Sequence, residues 1–330
     1  MYRVGIDVQG ADKGIKEIVL GVKEYYMSKQ DIHHQIFLFG PEDDLLNYFS
    51  QVNLEEEKVT IIDCPTYISN NEDPLLAMRT KKDSSIVVAS KYLKEDKVDV
   101  IISAGSTGAL VSVSTFIVGR TKGVDRVALG GMLPAANNKP TLILDLGANI
   151  DAKEEHLIQY AKLGIAYLKV TKNIQNPTLS LLNIGTEAKK GSEFYQNVYR
   201  LLEEDKDINF LGNIEPRDLM SNKSDIILMD GFSGNIMLKT LEGTIKFMGN
   251  EFKGVLTKNI INKIAASILY KDLKNMYKKY DYRELGATPI FGANKLVMKA
   301  HGSSDKLAFK NAIIASIENL ETDYMKEFKG

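Results

Sequence analysis

The chain has 330 residues, 44% hydrophobic and 26% charged, with a formal charge of -1, so it carries ample apolar material for a large core and is not a disordered polymer. The near-neutral balance argues against a generally basic nucleic-acid binder. A single cysteine, Cys64, excludes an intrachain disulfide framework, and His33, His34, His156 and His301 stand at no metal-ligand spacing, so no metal is expected and a reducing, cytosolic setting is the default.

The first predicted element is a strand over residues 2–8, with no apolar signal-peptide core, and no run of about 18 apolar residues follows to span a membrane. Residues 13–30 place Ile15, Ile18, Val19 and Val22 on one helical face. Strand-like runs at 35–39 and 59–63 precede Arg79, Lys81 and Lys82, which stand before Asp83-Ser84-Ser85 and an apolar helix as a possible anion site. The run 98–103 ends in Ala104-Gly105-Ser106-Thr107-Gly108-Ala109 before an apolar helix over 109–118. After a strand at 127–133, the run 141–144 ends in Asp145-Leu146-Gly147-Ala148-Asn149, and Asp151-Ala152-Lys153-Glu154 reads as a capping box before Leu157, Tyr160, Ala161 and Gly164. The run 178–182 ends in Asn183-Ile184-Gly185-Thr186-Glu187-Ala188-Lys189-Lys190-Gly191. A strand at 208–212 is followed by 226–229, which ends in Asp230-Gly231-Phe232-Ser233-Gly234-Asn235 and leads into Met237-Leu238-Lys239-Thr240. A fifth tip is Lys299-Ala300-His301-Gly302-Ser303-Ser304-Asp305.

Strands alternating with amphipathic helices imply parallel β-α units. All eight prolines fall at predicted turns or element starts and no low-complexity linker interrupts the chain, so residues 1–330 read as one α/β unit. A helical insertion over 243–280 stands out, with Phe252, Val255, Leu256, Ile260, Ile264, Ile268 and Leu269 at three- and four-residue spacing among many lysines. That pattern fits a dimer contact, an anionic membrane surface or plain packing.

In a parallel sheet the carboxyl ends of the strands line one edge, where amides, helix N-termini and polar side chains converge on a ligand. One polar site assembled from the tips is therefore expected. Gly105-Ser106-Thr107-Gly108 is neither a Walker loop nor a Gly-x-Gly-x-x-Gly fingerprint, and serves equally as a phosphate cradle or a helix cap. Asp145 and Asn149 suit an Asx turn as well as a site. Lys189 and Lys190 beside a glycine turn suit an anion, with Glu187 orienting one of them, or a solvated loop. His301 suits a general acid, a phosphate donor or a structural role. No Gly-x-Ser-x-Gly elbow is present, and no histidine neighbours Cys64 in sequence.

These tips in this order resemble the acyl-acyl carrier protein:phosphate acyltransferase family, the bacterial PlsX enzymes. The resemblance rests on Asp73-Pro74-Leu75-Leu76-Ala77-Met78-Arg79 with Lys81-Lys82-Asp83-Ser84-Ser85, on the tips at 104–109, 145–149, 230–235 and 299–305, and on Leu181-Leu182-Asn183-Ile184-Gly185. It covers nearly the whole chain. The family's usual opening, Asp-Ala-Met-Gly-Gly-Asp-His-x-Pro, is here Asp7-Val8-Gln9-Gly10-Ala11-Asp12-Lys13-Gly14-Ile15, which keeps both aspartates but has Lys13 and Ile15 at the histidine and proline positions. Ser106 stands where asparagine is common.

The resemblance implies a three-layer, Rossmann-like, mostly parallel sheet of the phosphotransacetylase and isocitrate-dehydrogenase-like kind, with a long helical protrusion, in a homodimer. It implies transfer of a long fatty acyl group from acyl carrier protein to inorganic phosphate, without a cofactor, giving an acyl phosphate for phosphatidic acid synthesis, on the cytoplasmic side with possible peripheral membrane contact. The candidate catalytic residues are Lys82, Asn149, Lys190, Asp230, Asn235 and His301. Asp7, Arg79, Ser84, Ser106, Thr107, Gly185, Glu187, Lys239, Ser303 and Ser304 are the candidate substrate and phosphate contacts. A phosphotransacetylase-like enzyme using short acyl-coenzyme A, and a non-catalytic membrane-surface scaffold binding acyl carrier protein, are the competing readings.

Overall fold

The computed structural model describes residues 1–28, 34–54, 59–135, 139–279, 283, 286–322 and 324–328; Gln30, His33 and Tyr280 lie outside them. In chain order the elements are β1 Arg3–Asp7, α1 Ile15–Ser28, β2 Gln35–Gly40, α2 Glu42–Val52, β3 Val59–Asp63, α3 Pro74–Thr80, α4 Ser85–Lys94, β4 Val100–Ser103 and α5 Thr107–Val113. They continue as β5 Ala128–Leu133, β6 Thr141–Leu144, α6 Glu154–Thr171, β7 Thr178–Leu182, α7 Glu193–Glu204, β8 Asn209–Ile214 and β9 Ile226–Leu228. The last elements are α8 Gly231–Thr257, α9 Ile260–Lys279, β10 Ala287–Phe291, β11 Leu296–Ala300 and α10 Lys306–Thr322.

The strands form one mixed sheet in the order β3-β2-β1-β4-β11-β10-β5-β6-β9-β7-β8. Short apolar strands buried along their whole length, such as β4 and β6, are what a sheet covered on both faces requires. Helices α1, α2 and α10 cover one face of the first block through Ile18, Phe49, Phe309 and Ile313. Helices α6 and α7 cover the second block through Leu157, Tyr160, Val198 and Leu202. A third cluster, including Leu93, Leu110, Ile143, Ile227 and Val297, runs across both blocks, with Met237, Leu238 and Leu241 of α8 packed on it.

The direction of the strands departs from the expectation of a single carboxyl edge. β3, β2, β1, β4 and β11 are mutually parallel, as are β6, β9, β7 and β8, but the β11-β10, β10-β5 and β5-β6 junctions are all antiparallel. Three reversals set the two blocks running in opposite directions. Helix α8 makes up for this. Asp230 caps it at the carboxyl end of β9, and three turns on Glu242 Oε1 lies 3.3 Å from His301 Nε2, just past the carboxyl end of β11. With 27 residues α8 is about 40 Å long, so its remainder projects beyond the sheet.

Three local expectations are corrected as well. Pro289 lies inside β10 rather than at a turn or element start. Helix α6 is not capped by Asp151, since it begins at Glu154 and the Lys153 amide donates to His156 Nδ1 at 3.0 Å. The helical stretch placed at 243–280 is the outer part of α8 together with α9, with a break at Lys258 and Asn259.

Candidate active site

Two loops of the first block meet backbone to backbone. Gly10 has φ +79°, and a Cβ there would stand 3.0 Å from Gly105 Cα, so the β1 and β4 tips approach this closely because both residues lack side chains. Beneath them the buried Asp7 carboxylate accepts from Ser103 Oγ at 2.7 Å and from the Gln9 amide at 3.2 Å, and the Gly105 amide donates to Ser103 Oγ at 3.1 Å. Burial raises the Asp7 pKa, against those hydrogen bonds and the nearby Lys299.

Lys299, on β11 beside β4, donates to the carbonyls of Gly105 and Ala300, each at 2.8 Å. An ammonium has three donors, and the third has no partner among the described residues. Burial lowers the Lys299 pKa to about 8, against the pull of Asp7 and Asp12. The next residue but one, His301, has Nδ1 accepting from the Ser303 amide at 3.2 Å, which assigns the ring proton of the neutral form to Nε2, facing Glu242.

The foot of α8 is built on the second block. Asp145, fully buried, accepts from the amides of Leu129, Gly147, Ala148 and Asn149 and from Asn149 Nδ2, at 2.9–3.1 Å. Burial raises its pKa and these donors oppose the rise. The first turn of α8 sits directly on this loop: a Cβ at Gly234 would stand 1.8 Å from the Asp145 carbonyl oxygen. Asp230 accepts from the Ser233 amide at 2.8 Å and from Ser233 Oγ at 2.9 Å, and Tyr195 also donates to it.

Between these parts lies a cavity of about 740 Å³, within the size range of small-molecule sites. Its polar end carries Asp12, Ser106, Thr107, Lys299 and His301. Its floor and wall are apolar, formed by Met132, Leu133, Ile143 and Leu146 from β5, β6 and the loop after β6, and by Met237 and Leu238 from α8, with Asn235, Lys239 and Glu242 on the same helix. One open chamber thus presents the Lys299 ammonium, the His301 ring, two hydroxyls and the Asp12 carboxylate at one end, and a wall beyond them in which hydrocarbon is interrupted by Asn235, Lys239 and Glu242.

Of the residues singled out from the sequence, Ser106, Thr107, Asn235, Lys239 and His301 line this cavity. Asp7 and Ser303 stand behind the lining through Ser103 and His301. The others lie outside it. Arg79 and Lys82 are exposed on the α3-α4 segment, where Ser84 Oγ donates to the Lys81 carbonyl at 2.8 Å. Asn149 commits its amide to Asp145 and the Val127 carbonyl. Gly185, Glu187 and Lys190 occupy a loop in which Lys190 and Glu187 face each other at 3.9 Å, both well exposed. Asp230 is occupied as the α8 cap, and Ser304 is fully buried.

Lys299, Asp12 and Glu242 are cavity residues that the sequence reading left out of the site. A lysine inside the otherwise apolar strand Leu296–Ala300 was the available signal for the first. Cys64 is buried with its pKa raised to about 12 by burial, which disfavours the nucleophilic thiolate. No group of acidic, histidine or cysteine side chains suited to a metal ion occurs among the described residues.

The family model described as "Fatty acid synthesis protein" matches residues 2–327. A phosphate acyltransferase of Staphylococcus epidermidis is 42% identical over 334 residues, covering 100% of both chains. A putative phosphate acyltransferase of Clostridium perfringens is 42% identical over 311 residues, 94% of this chain and 91% of that protein. Among solved structures, a phosphotransacetylase from Streptococcus pyogenes superposes with TM-score 0.60 at 15% identity, covering 97% of this chain and 94% of that one. A branched-chain phosphotransacylase from Enterococcus faecalis V583 gives 0.57 at 12% identity, covering 98% and 100%. Those two structures share the fold, whereas identity and coverage against the first two proteins go further: the chain belongs to the family of the phosphate acyltransferases.

Proposed function

We propose that this protein transfers a long fatty acyl group from the thioester of acyl carrier protein to inorganic phosphate, supplying an acyl phosphate for phospholipid synthesis. The observation that carries this reading is the two-ended cavity, polar around Lys299, His301, Ser106 and Thr107 and apolar along β5, β6 and α8. A phosphate oxygen attacks the thioester carbonyl, a C–O bond forms, the C–S bond breaks, and the carrier thiol leaves with a proton. The chain's part is to hold the phosphate by charge, orient the thioester and keep the acyl chain out of water. Lys299 and Lys239 supply positive charge at the cavity, and His301 Nε2 carries a proton that Glu242 orients.

Phosphate-dependent release of free carrier protein from palmitoyl-acyl carrier protein tests substrate and reaction together. Turnover of acetyl-coenzyme A in its place would favour a short-chain phosphotransacetylase, and no acyl phosphate from clean protein would favour a binding scaffold. The outer part of α8 and α9 exposes Phe247, Phe252, Val255, Ile261, Ile264 and Ile268. We assign this face to a homodimer contact and to peripheral contact with an anionic membrane, since no helix among the described residues is long and apolar enough to cross one. Replacing Ile264 and Ile268 with glutamate should abolish sedimentation with anionic vesicles without changing dimer mass; persistent sedimentation refutes the membrane assignment.

A further inference from the structure

The cavity is lined by the carboxylates of Asp12, Glu72 and Glu242 as well as by its cations. A carboxylate beside a phosphate site repels the anion unless it accepts a hydrogen from it. Glu72 and Glu242 are engaged elsewhere: Glu72 accepts from the Ser69 amide at 2.9 Å and pairs with Lys81 at 2.7 Å, and Glu242 lies 3.3 Å from His301 Nε2. The Asp12 carboxylate makes no hydrogen bond or ion pair among the described residues, and the neighbouring Lys13 Nζ stands 3.7 Å from Asp305 Oδ2. Backbone nevertheless fixes its place. The Asp12 amide donates to the Gly302 carbonyl at 2.9 Å, and a Cβ at Gly302 would stand 3.0 Å from Asp12 Oδ2, so a side chain there would crowd the carboxylate. Asp12 is thereby fastened to the tip that carries Lys299 and His301. Its charge reaches Lys299, whose pKa it pulls up, yet the two are not paired. Lys299 has a donor to spare and Asp12 has acceptors to spare at the same end of one cavity.

We propose that Asp12 accepts the P–OH hydrogen of the phosphate whose unprotonated oxygens Lys299 holds, and so restricts the site to an oxyanion that still carries a proton. This rests on the acyl-transfer reading and adds to it the form in which the second substrate is recognised. At neutral pH inorganic phosphate keeps a P–OH group, whereas sulfate, of the same shape, keeps no hydrogen and meets Asp12 with lone pairs alone. A site built to hydrogen-bond a hydroxyl rejects the analogue that lacks it. The same proton separates substrate from product. As the C–O bond forms and the C–S bond breaks, the phosphate proton leaves with the carrier thiol, and the acyl phosphate dianion that remains faces Asp12 with acceptors only. Asp12 thus favours release of the product as well as entry of the substrate.

The test is equilibrium dialysis of radiolabelled inorganic phosphate against the wild-type protein and Asp12→Asn at neutral pH, with unlabelled phosphate or sulfate as competitor and no thioester present. Sulfate should displace the label from the wild-type protein about tenfold less well than phosphate does, or worse still, because a charge-assisted hydrogen bond is replaced by a repulsion. Asp12→Asn keeps the shape and turns a donor toward a bare oxygen, so the preference for phosphate should shrink about tenfold or more. The preference is a ratio read on one sample, so a loss of folded protein does not mimic its change. Equal displacement by the two anions in the wild type, a preference unmoved in Asp12→Asn, or a wild-type protein that binds no phosphate overturns the proposal. Should phosphate bind with this preference while no carrier protein is released from its thioester, the acyl-transfer reading fails and the assignment of Asp12 holds.

Discussion

Lys299→Met removes the ammonium that links the β1-β4 loops to the cavity. A charge-assisted contact to phosphate is typically worth about 1.5–3 kcal/mol, so phosphate use should weaken roughly tenfold to over a hundredfold with carrier-protein saturation little changed. The substitution also deprives the Gly105 and Ala300 carbonyls of a donor, so Lys299→Arg, which keeps a charge and donors, is the companion variant. Protonated Lys299 is the phosphate-binding form, and with its pKa lowered from 10.5 to about 8 phosphate use should be full below the latter and fall as pH rises through it. Stability moves the other way. Between those two values the unfolded chain holds the proton and the folded one has released it, so the contribution of Lys299 to stability rises with pH across that window. The assay is phosphate saturation of carrier-protein release from about pH 6.5 to 9.5, with chemical denaturation at the same points. Lys299 does not bind phosphate if Lys299→Met keeps the wild-type phosphate KM, or if Lys299→Arg shows the same alkaline fall.

Asp7→Asn removes the buried negative charge that holds the Lys299 pKa up, so the alkaline limb of phosphate use should move below about pH 8; a limb that stays in place would show that Asp7 acts on the loop alone. Gly234→Ala drives a Cβ into the Asp145 carbonyl and should cost about 3 kcal/mol or more of stability, read as a lowered denaturation midpoint, because the neighbour is backbone and cannot rotate away. An unchanged midpoint would mean that the foot of α8 moves freely. Lys190, on a loop outside the cavity and facing Glu187 at 3.9 Å, tests how far the site extends. If it holds phosphate, Lys190→Ala should weaken phosphate use about tenfold or more, and an unchanged phosphate KM with normal turnover removes it from the site.

The strand-helix alternation and the polar tips were legible because each is a local pattern: β4 and β6 are apolar runs, and Gly105, Gly147 and Gly234 mark where backbone must turn or approach closely. Strand direction was legible only in part. β10, a short strand carrying a proline, is antiparallel to both β11 and β5, which leaves those two running the same way, and the net reversal between the blocks comes at β5-β6. The seven residues between Leu133 and Thr141 are too few for a parallel crossover, and that hairpin changes how the site is assembled. With the carboxyl ends of the two blocks on opposite edges, tips that look equivalent in sequence divide into those at the polar end of the cavity, at 104–108 and 299–302, and those at the foot of α8, at 145–149 and 230–235, which reach the cavity through Leu146, Gly147 and Asn235. Asp145 and Asp230 accordingly spend their carboxylates on backbone amides, fixing the helix that carries Asn235 and Lys239 to the cavity. Lys299 opens the 299–305 tip in sequence, where nothing in the tip itself sets it apart from the lysine of a solvated loop, and only its place as the last residue but one of β11, beside β4, aims it at the cavity. The residues that hold the parts together and those that face the ligand share a composition, and only the direction of the chain through the sheet separates them.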